Sequence, residues 1–326
     1  MIFSNQLKNV SGMVDYFLSR MALMILLACG LSGVALAADP VMKLIQVAPQ
    51  SYYVEGVSAL GSTANKNFIS NAGVVVAPDG VIVIDALGSP ALAHELVAEI
   101  KKITAKPITH VVVTHYHADH IYGLQVFADL GAQIIAQANG REYLTSDAAQ
   151  LRLDVSREEL APWVDDKTRL VPATTWVSED QTLTLSGMAF NLLMMGPAHT
   201  PDDLAVFVPE QGVLFAGDLV FRGRIPFVGT ADSDGWIKSL ASLLNVNAQT
   251  IVPGHGPYSN EAEQDLIFTR DYLIFLRESM HQGARDLEPF DEVYASVNWS
   301  KYESVPLFQE ANRMNAFNVY LSIQNE

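Results

Sequence analysis

Four side chains that can bind a metal lie within one six-residue stretch of the chain. The stretch reads His-Tyr-His-Ala-Asp-His from His115 to His120, and it follows a β-branched, nearly uncharged run at 108–114. Such a run is typical of a covered parallel strand, so the stretch is predicted to form the loop at its carboxyl end. In that loop His115 and His117 can point the same way, while Asp119 and His120 address a second point nearby. A helical zinc motif would instead place its histidines at i and i+4.

Three more residues that can bind a metal follow later predicted strands, each close to a glycine. They are His199, Asp218 and His255. Glycine lets the backbone approach a common centre. Imidazole and carboxylate groups are suitable donors for zinc. Because five of the chain's eight histidines fall in this combined set, we predict a metal centre built from all seven residues.

Composition narrows the possible functions. An apolar share of 49% in 326 residues excludes low-complexity disorder. The formal charge of −16 argues against a nucleic-acid partner and against attraction to anionic lipid. Cys29 is the chain's one cysteine, and it lies in an N-terminal apolar run. If that run is removed, the metal ligands must be histidines and carboxylates.

The N-terminal segment is predicted to be a secretory signal peptide spanning residues 1–37. Eighteen uncharged residues separate Arg20 from Asp39, and Ala-Leu-Ala at 35–37 is a small-x-small cleavage signal. The mature protein would then be periplasmic or secreted, with no stable membrane insertion. An uncleaved anchor and a lipoprotein modified at Cys29 are the alternatives.

Two strand-then-helix runs, at 68–136 and 181–255, predict an α/β protein whose two similar halves form one sandwich. The first comprises a strand at 68–77, a turn, a returning strand at 81–85, a helix from Pro90 to Lys102, the buried strand, a helix ending at Leu130, and a strand at 133–136. A charged segment at 141–170 is predicted to be a helical excursion that includes Trp163, either as a lid residue or as an anchor of the excursion. The second run comprises strands at 181–185, 188–195, 204–208 and 213–216, a loop at 219–233, a helix at 234–245 and a strand at 250–252. Helices are predicted from Glu261 onward.

These motifs, in this order, resemble the metallo-β-lactamase-fold metallohydrolase superfamily over residues 50–258. The resemblance implies a four-layer αβ/βα sandwich, with a catalytic domain at 38–258 and a helical C-terminal extension at 259–326 packed on the same domain. It also implies two zinc ions. By motif position, the first zinc is bound by His115, His117 and His199, the second by Asp119, His120 and His255, and Asp218 bridges them.

The presence or absence of an aspartate at the position of Asp218 distinguishes groups of enzymes within that superfamily. Glyoxalase II-like thioesterases and lactonases keep the bridging aspartate, whereas zinc β-lactamases usually lack it. The segments 121–123 and 221–227 are similar to exported zinc metallohydrolases associated with sulfur oxidation or quinoproteins. Flavodiiron proteins have glutamate in place of His117. Persulfide dioxygenases share the His-x-His-Ala-Asp-His-Ile run, so a site with a single iron ion stays open.

The function implied is hydrolysis of an ester, thioester or similar acyl bond in a small molecule by a hydroxide that bridges two zinc ions. Asp119 and Tyr122 are the candidate catalytic residues. Tyr122 would donate to a developing oxyanion, unless it packs beside the cleft. Arg222 and Arg224 would hold a substrate carboxylate, unless they pair with acidic neighbours.

Three other functions remain open at this stage: a β-lactamase, a mononuclear iron dioxygenase, and a protein that binds zinc without turnover. The crowding that a bridging Asp218 imposes at the second zinc favours ester-like substrates over β-lactams. The oligomeric state is left open.

Overall fold

Two β-sheets form the centre of the structure, a computed structural model that describes residues 41–326. The predicted signal peptide lies outside the described residues. The first sheet has seven strands, and their order in space follows the chain. They are β1 (Ile45–Ala48), β2 (Ser51–Val54), β3 (Ala72–Val76), β4 (Val81–Ile84), β5 (Ile108–Val112), β6 (Gln133–Gln137) and β7 (Thr175–Val177).

The second sheet has five strands in the order β12-β11-β10-β9-β8. The strands are β8 (Gln181–Leu185), β9 (Met188–Met194), β10 (Leu204–Val208), β11 (Val213–Phe221) and β12 (Thr250–His255). The pairs from β4 to β7 are parallel, as is the pair of β11 and β12. The carboxyl ends of parallel strands lie on the same side of a sheet. Each sheet therefore has several carboxyl strand ends along one edge.

Nine α-helices accompany the sheets in the described part of the chain. They are α1 (Pro90–Ile103), α2 (Ala118–Ile121), α3 (Leu124–Asp129), α4 (Gly140–Leu144), α5 (Asp147–Glu159), α6 (Ser233–Leu243), α7 (Ala262–Arg285), α8 (Phe290–Ser296) and α9 (Phe308–Gln324). Among residues 41–326, none of the helices is both long enough and apolar enough to cross a membrane.

Three apolar clusters separate four layers. In β4, Val81 and Val83 belong to a cluster with α1 and α3, whereas Ile82 and Ile84 belong to the cluster between the sheets. This is the two-residue alternation of a strand buried on both faces. The third cluster joins the outer face of β11 to α6, α7 and α9. The αβ/βα sandwich predicted from the resemblance is therefore confirmed, with helices of the C-terminal segment in its outer layer.

Helix α1 begins and ends where the sequence predicts, within one residue. The Ser89 hydroxyl accepts a hydrogen bond from the backbone N–H of Leu92 at 3.3 Å, and Pro90 occupies the first turn. Lys101 and Lys102 lie in the last turn, where positive charge is favourable.

The single helix predicted after the histidine loop is wrong, because two short helices, α2 and α3, occupy that segment, and α2 already begins at Ala118, inside the predicted loop. The backbone N–H of Gly123 donates to the carbonyl oxygen of Leu87 at 3.2 Å and interrupts the helical pattern. The strand predicted at 68–77 is shorter, since Asn71 instead bonds to the end of β12 through Gly254.

Strand β11 extends five residues beyond the predicted 213–216. It follows β12 in parallel until Phe221 pairs with His255. The additional length matters for the site, because it places Asp218 inside a strand instead of at the start of a loop.

Candidate metal centre

All seven predicted metal ligands converge where β5 and β12 end, beside Asp218 within β11 and where β9 turns into β10. They form two groups, within each of which the candidate ligand atoms lie less than 4.8 Å apart. The first group is His115, His117, His199 and Asp218, and the second is Asp119, His120 and His255.

Two glycines allow this convergence. Gly217 has a φ of +54°, and a Cβ atom there would lie 2.7 Å from the Thr114 side chain. A Cβ atom on Gly254 would lie 2.0 Å from Oδ1 of Asp218. Gly217 therefore lets the two sheets approach each other, and Gly254 leaves room for the Asp218 carboxylate between β11 and β12.

In the first group, three ring nitrogens face one another. Nδ1 of His117 lies 3.1 Å from Nε2 of His115 and 3.0 Å from Nε2 of His199. Oδ2 of Asp218 lies 3.4 Å from Nε2 of His199 and 3.8 Å from Nε2 of His115.

In the second group, Nε2 of His255 lies 3.3 Å and Nε2 of His120 lies 3.6 Å from Oδ2 of Asp119. Asp218 contacts this group as well, at 3.1 Å from His120 and 3.3 Å from His255. Its carboxylate thus lies between the two groups, in the position that a bridging ligand requires.

Hydrogen bonds from the other ring nitrogens orient the histidines. Nδ1 of His120 lies 2.9 Å from Oδ2 of Asp85, and Nδ1 of His255 lies 2.7 Å from the carbonyl oxygen of Ile69. The Thr114 hydroxyl donates to Asp85 at 2.8 Å and therefore accepts from Nδ1 of His115 at 3.1 Å. In these three histidines Nδ1 therefore carries the proton and Nε2 points into the centre, whereas His117 turns its Nδ1 inward.

Asp85 was not among the residues predicted from the sequence. Its carboxylate also accepts the backbone N–H of Thr114 at 2.8 Å, so it fixes the start of the histidine loop. The available signal was an acidic residue directly after the apolar strand 81–84.

Burial and mutual proximity control the charges of these groups. Burial lowers the pKa of His115 well below its usual value and lowers the pKa of His199 to about 3. Burial opposes the charge on His255 too, but the nearby Asp218 and Asp119 carboxylates outweigh it and raise the pKa of His255 to about 9. Burial also acts against ionisation of Asp218, yet the adjacent histidines hold the pKa of this carboxyl well below its usual range.

The donor set fits two divalent cations. Within the described residues, Nε2 of His120 and Oδ1 of Asp218 are buried and lack a hydrogen bond of good geometry, although they lie 3.1 Å apart. Nδ1 of His117 faces two other imidazole nitrogens, and one proton cannot satisfy all three. A cation in each group would give these atoms a common partner, and four- or five-coordinate zinc accepts such histidine and carboxylate ligands.

A cavity of about 260 Å³ opens above the centre. Its polar side consists of ligands from both groups together with Arg152 and Arg224. Its apolar side is formed by Ala59, Leu60, Ile69, Phe221 and Phe227. Arg152, on α5, and this apolar side were not identified from the sequence, because distant segments bring them to the cavity.

Arg224 is buried in the cavity wall with only 2% of its surface exposed. Among residues 41–326, its Nε and Nη1 atoms have no hydrogen-bond partner, and the guanidinium lies 5.8 Å and 5.7 Å from the ring centres of Phe221 and Phe227. Burial lowers the pKa of Arg224, but a guanidinium stays charged at neutral pH. The structure therefore has an unpaired cation beside the metal centre.

Arg222 has a different environment. Its Nε atom donates to Asp265 at 3.0 Å, and the residue is not among those that line the cavity. The alternative prediction for Arg222, a pairing with an acidic residue, matches the structure. The acidic residue is Asp265 on α7, however, and not one from the adjacent loop. The structure thus does not place Arg222 in the cavity wall, where the predicted contact with a substrate would be made.

Tyr122 is 2% exposed, and its hydroxyl lies 3.2 Å from the hydroxyl of Ser156. Like Arg222, it does not line the cavity. Packing in the core, the alternative left open for this residue, matches its position, whereas the structure does not bring its hydroxyl to the cavity for the predicted oxyanion role. Asp119, in contrast, both lines the cavity and belongs to the second ligand group.

The sequence and the fold are similar to those of known proteins. The family model described as the metallo-beta-lactamase superfamily matches residues 66–255. A linear primary-alkylsulfatase from Pseudomonas sp. is 25% identical over 63% of this chain, although the match spans only 45% of that relative's length. A type 2 metallo-beta-lactamase from Bacillus cereus is 26% identical, over 66% of this chain and 77% of the lactamase.

Solved structures show the same fold. The sec-alkyl sulfatase PisA1 matches 86% of this chain and 50% of its own, with a TM-score of 0.64 and 18% identity. The DIM-1 metallo-beta-lactamase matches 72% of this chain and 98% of its own, with a TM-score of 0.57 and 21% identity. With the family model matching more than half of the sequence, the chain belongs to the metallo-beta-lactamase superfamily of metal-dependent hydrolases.

Proposed function

We propose that this protein is a dinuclear zinc hydrolase that cleaves an ester or thioester bond in a small, negatively charged substrate. The observation that carries the proposal is the position of Asp218 between the two ligand groups, in the same cavity as the buried, unpaired Arg224. Hydrolysis consumes one water molecule, breaks the bond between the acyl carbon and the leaving oxygen or sulfur, and releases an acid and an alcohol or thiol.

When bound, the zinc ions supply a Lewis acid for the carbonyl oxygen and an activated water for attack. The chain holds them through carboxylates that remain ionised at neutral pH. The pKa of Asp119 is held below its usual range by His120 and His255, although burial acts in the opposite direction. Asp85 and Thr114 keep His115 and His120 in the orientation in which Nε2 faces the centre.

Arg224 gives the site its preference for an anion. A guanidinium attracts a carboxylate or a sulfo group, and Arg224 lines the cavity while its Nε and Nη1 atoms have no hydrogen-bond partner among residues 41–326. Leu60, Ile69 and Phe227 form a surface for the part of the substrate that does not react. The substrate would thus have an anionic group close to the scissile bond and an apolar portion.

A sulfate ester is the second candidate substrate. The 25% identity to a linear primary-alkylsulfatase supports it, and so does a cavity with a buried cation on one side and apolar side chains on the other. A β-lactam is less favoured, because Asp218 lies within 3.8 Å of four histidines and occupies space between the groups that the ring nitrogen and carboxylate of a lactam would need.

Turnover by zinc-loaded protein tests these assignments. The substrates are 4-nitrophenyl hemisuccinate, 4-nitrophenyl butyrate, a glutathione thioester, decyl sulfate and nitrocefin. We expect the anionic ester or the thioester to be cleaved faster than the neutral ester and nitrocefin. Cleavage of decyl sulfate alone would support the sulfate-ester candidate. Efficient cleavage of nitrocefin with no turnover of the other substrates would contradict the proposal, and no turnover at all would favour a zinc-binding protein without enzymatic activity.

Export to the periplasm or medium is part of the proposal and rests on residues 1–37. N-terminal sequencing of the protein from a periplasmic extract should give a start at Ala38. A lipid-modified start at Cys29, or an intact Met1 in the membrane fraction, would contradict it.

A further inference from the structure

The segment 222–229, here called the arginine loop, carries Arg224 and Phe227 into the cavity. It connects β11 to the turn before α6 and contains no helix or strand of its own. Burial of an unpaired guanidinium is unfavourable, so a free loop would turn Arg224 into solvent. Contacts elsewhere in the fold must therefore hold the loop in place.

The C-terminal segment supplies those contacts. Oδ1 of Asn315, on α9, accepts the backbone N–H of Val228 at 2.9 Å, and its Nδ2 donates to the carbonyl oxygen of Pro226 at 2.7 Å. The backbone N–H of Ile225 donates to the carbonyl oxygen of Pro306 at 2.9 Å. One side-chain amide thus fixes two backbone groups on either side of Phe227.

Asn315 is itself held rigidly. It is 1% exposed, and its Nδ2 atom also donates to the hydroxyl of Tyr272 at 2.9 Å. That hydroxyl donates to Asn312 at 2.9 Å, so the network continues along α9 to α7. Because both amide protons and the oxygen of Asn315 are used, its orientation is unique and no water is needed to complete it.

We propose that Asn315 is a positioning residue for anion recognition, and that α9 fixes the arginine loop so that Arg224 stays buried beside the metal centre. This inference rests on the proposed preference for an anionic substrate. It gives the C-terminal segment a role in substrate specificity: the selectivity for charge depends on a residue that touches neither metal nor substrate.

The test measures binding of octane-1-sulfonate to the zinc-loaded protein by calorimetry. This probe has an anionic head and an apolar chain and cannot be hydrolysed, so its binding is independent of turnover. We expect Asn315→Leu to weaken binding at least tenfold. Asn312→Leu is the matched control, because Asn312 is equally buried one turn earlier on the same helix and bonds to Tyr272 without contacting the arginine loop. It should weaken binding less than twofold.

A double-mutant cycle with Arg224→Met separates positioning from general damage. If Asn315 acts through Arg224, Asn315→Leu has no further effect on octane-1-sulfonate binding once Arg224 is replaced. Hydrogen exchange should also accelerate at the Val228 amide in Asn315→Leu and stay unchanged in Asn312→Leu. If Asn315→Leu does not fold, Asn315→Asp keeps the acceptor for Val228, removes the donor to Pro226, and should show the same direction of change.

Three results would overturn the inference: wild-type affinity in Asn315→Leu, an equal loss in Asn312→Leu, or additive losses in the double mutant. Failure of the proposed function looks different. If the wild-type protein binds the probe no better than Arg224→Met does, the proposed preference for an anion is wrong, and this inference is wrong as well. If the probe binds as predicted but no ester, thioester or sulfate ester is cleaved, the proposed reaction is wrong and the positioning role of Asn315 stands.

Discussion

The histidine loop at 115–120 and the arginine loop at 222–229 line the same cavity, but different parts of the chain hold them. The histidine loop is fixed by Asp85 and Thr114, which lie at the ends of two adjacent strands in its own sheet. The arginine loop is fixed by Asn315, about 90 residues further along the chain.

The two loops thus have different roles, one in binding the metal and the other in recognising the substrate. The metal ligands need one geometry for every substrate, and the strand ends of the sandwich provide it. The group that recognises the substrate depends on a later helix, so it can change without disturbing the metal centre. Variants in the first region should therefore alter metal binding and all reactions, whereas variants in the second should alter the choice of substrate.

The largest effect is expected from Asp218→Ala. It removes the carboxylate shared by both groups, and replacing even an outer partner of a metal ligand typically costs about 10- to 100-fold. We therefore expect turnover of every substrate to fall by more than about 100-fold, in a steady-state assay with zinc in excess. Asp79→Ala, at an exposed turn remote from the ligands, is the control. Retention of most activity in Asp218→Ala would show that no shared carboxylate is needed.

Asp85→Asn should weaken zinc binding by about 10- to 100-fold, because the amide cannot accept all three of the hydrogen bonds that Asp85 now accepts. Asparagine tolerates the positive φ of 63° at this position, so the backbone should be preserved. Competition with a chelating dye gives the zinc affinity. An unchanged affinity would mean that the orientation of His120 does not depend on this carboxylate.

Arg224→Met should raise KM for an anionic ester by about 10- to 100-fold, the equivalent of one hydrogen bond between charged groups. The KM of a matched neutral ester should change little. Arg222→Met is the paired control, since Arg222 bonds to Asp265 outside the cavity lining. Equal effects of the two replacements, or an equal loss for both esters, would remove the distinction between the arginines.

The smallest effect is expected from Trp163→Phe. The indole N–H of Trp163 donates to the carbonyl oxygen of Thr63 at 2.8 Å and joins the helical excursion to the segment that carries Leu60. Loss of one such bond, about 0.5–1.5 kcal/mol, should raise KM for long-chain esters about 2- to 10-fold and leave acetyl esters unchanged. A similar change for both chain lengths would indicate that the segment does not form the apolar side of the substrate site.

Features that depend on residues close together in the sequence were predicted well. The strand at 81–85, the helix that begins at Pro90 and the ligand motif at 115–120 are local patterns, and the structure has each of them within one residue. The boundaries of β11 were missed because the pairing of Phe221 with His255 joins residues far apart in sequence.

The sequence could not distinguish Arg222 from Arg224. The two lie two residues apart in a loop without periodic pattern, and their different environments come from Asp265 on α7 and from Asn315 on α9. Tyr122 lies two residues after the ligand motif, yet the turn between α2 and α3 directs its hydroxyl to Ser156. Tertiary contacts of this kind leave no local signature.

The metal content of the purified protein tests the central claim most directly. Two ligand groups that share Asp218 predict two zinc ions per chain, measured by elemental mass spectrometry on protein prepared without chelator. Zinc-stripped protein should take up two equivalents in a calorimetric titration and recover turnover. One iron ion per chain without zinc, or uptake of a single zinc with full activity, would contradict a dinuclear zinc centre.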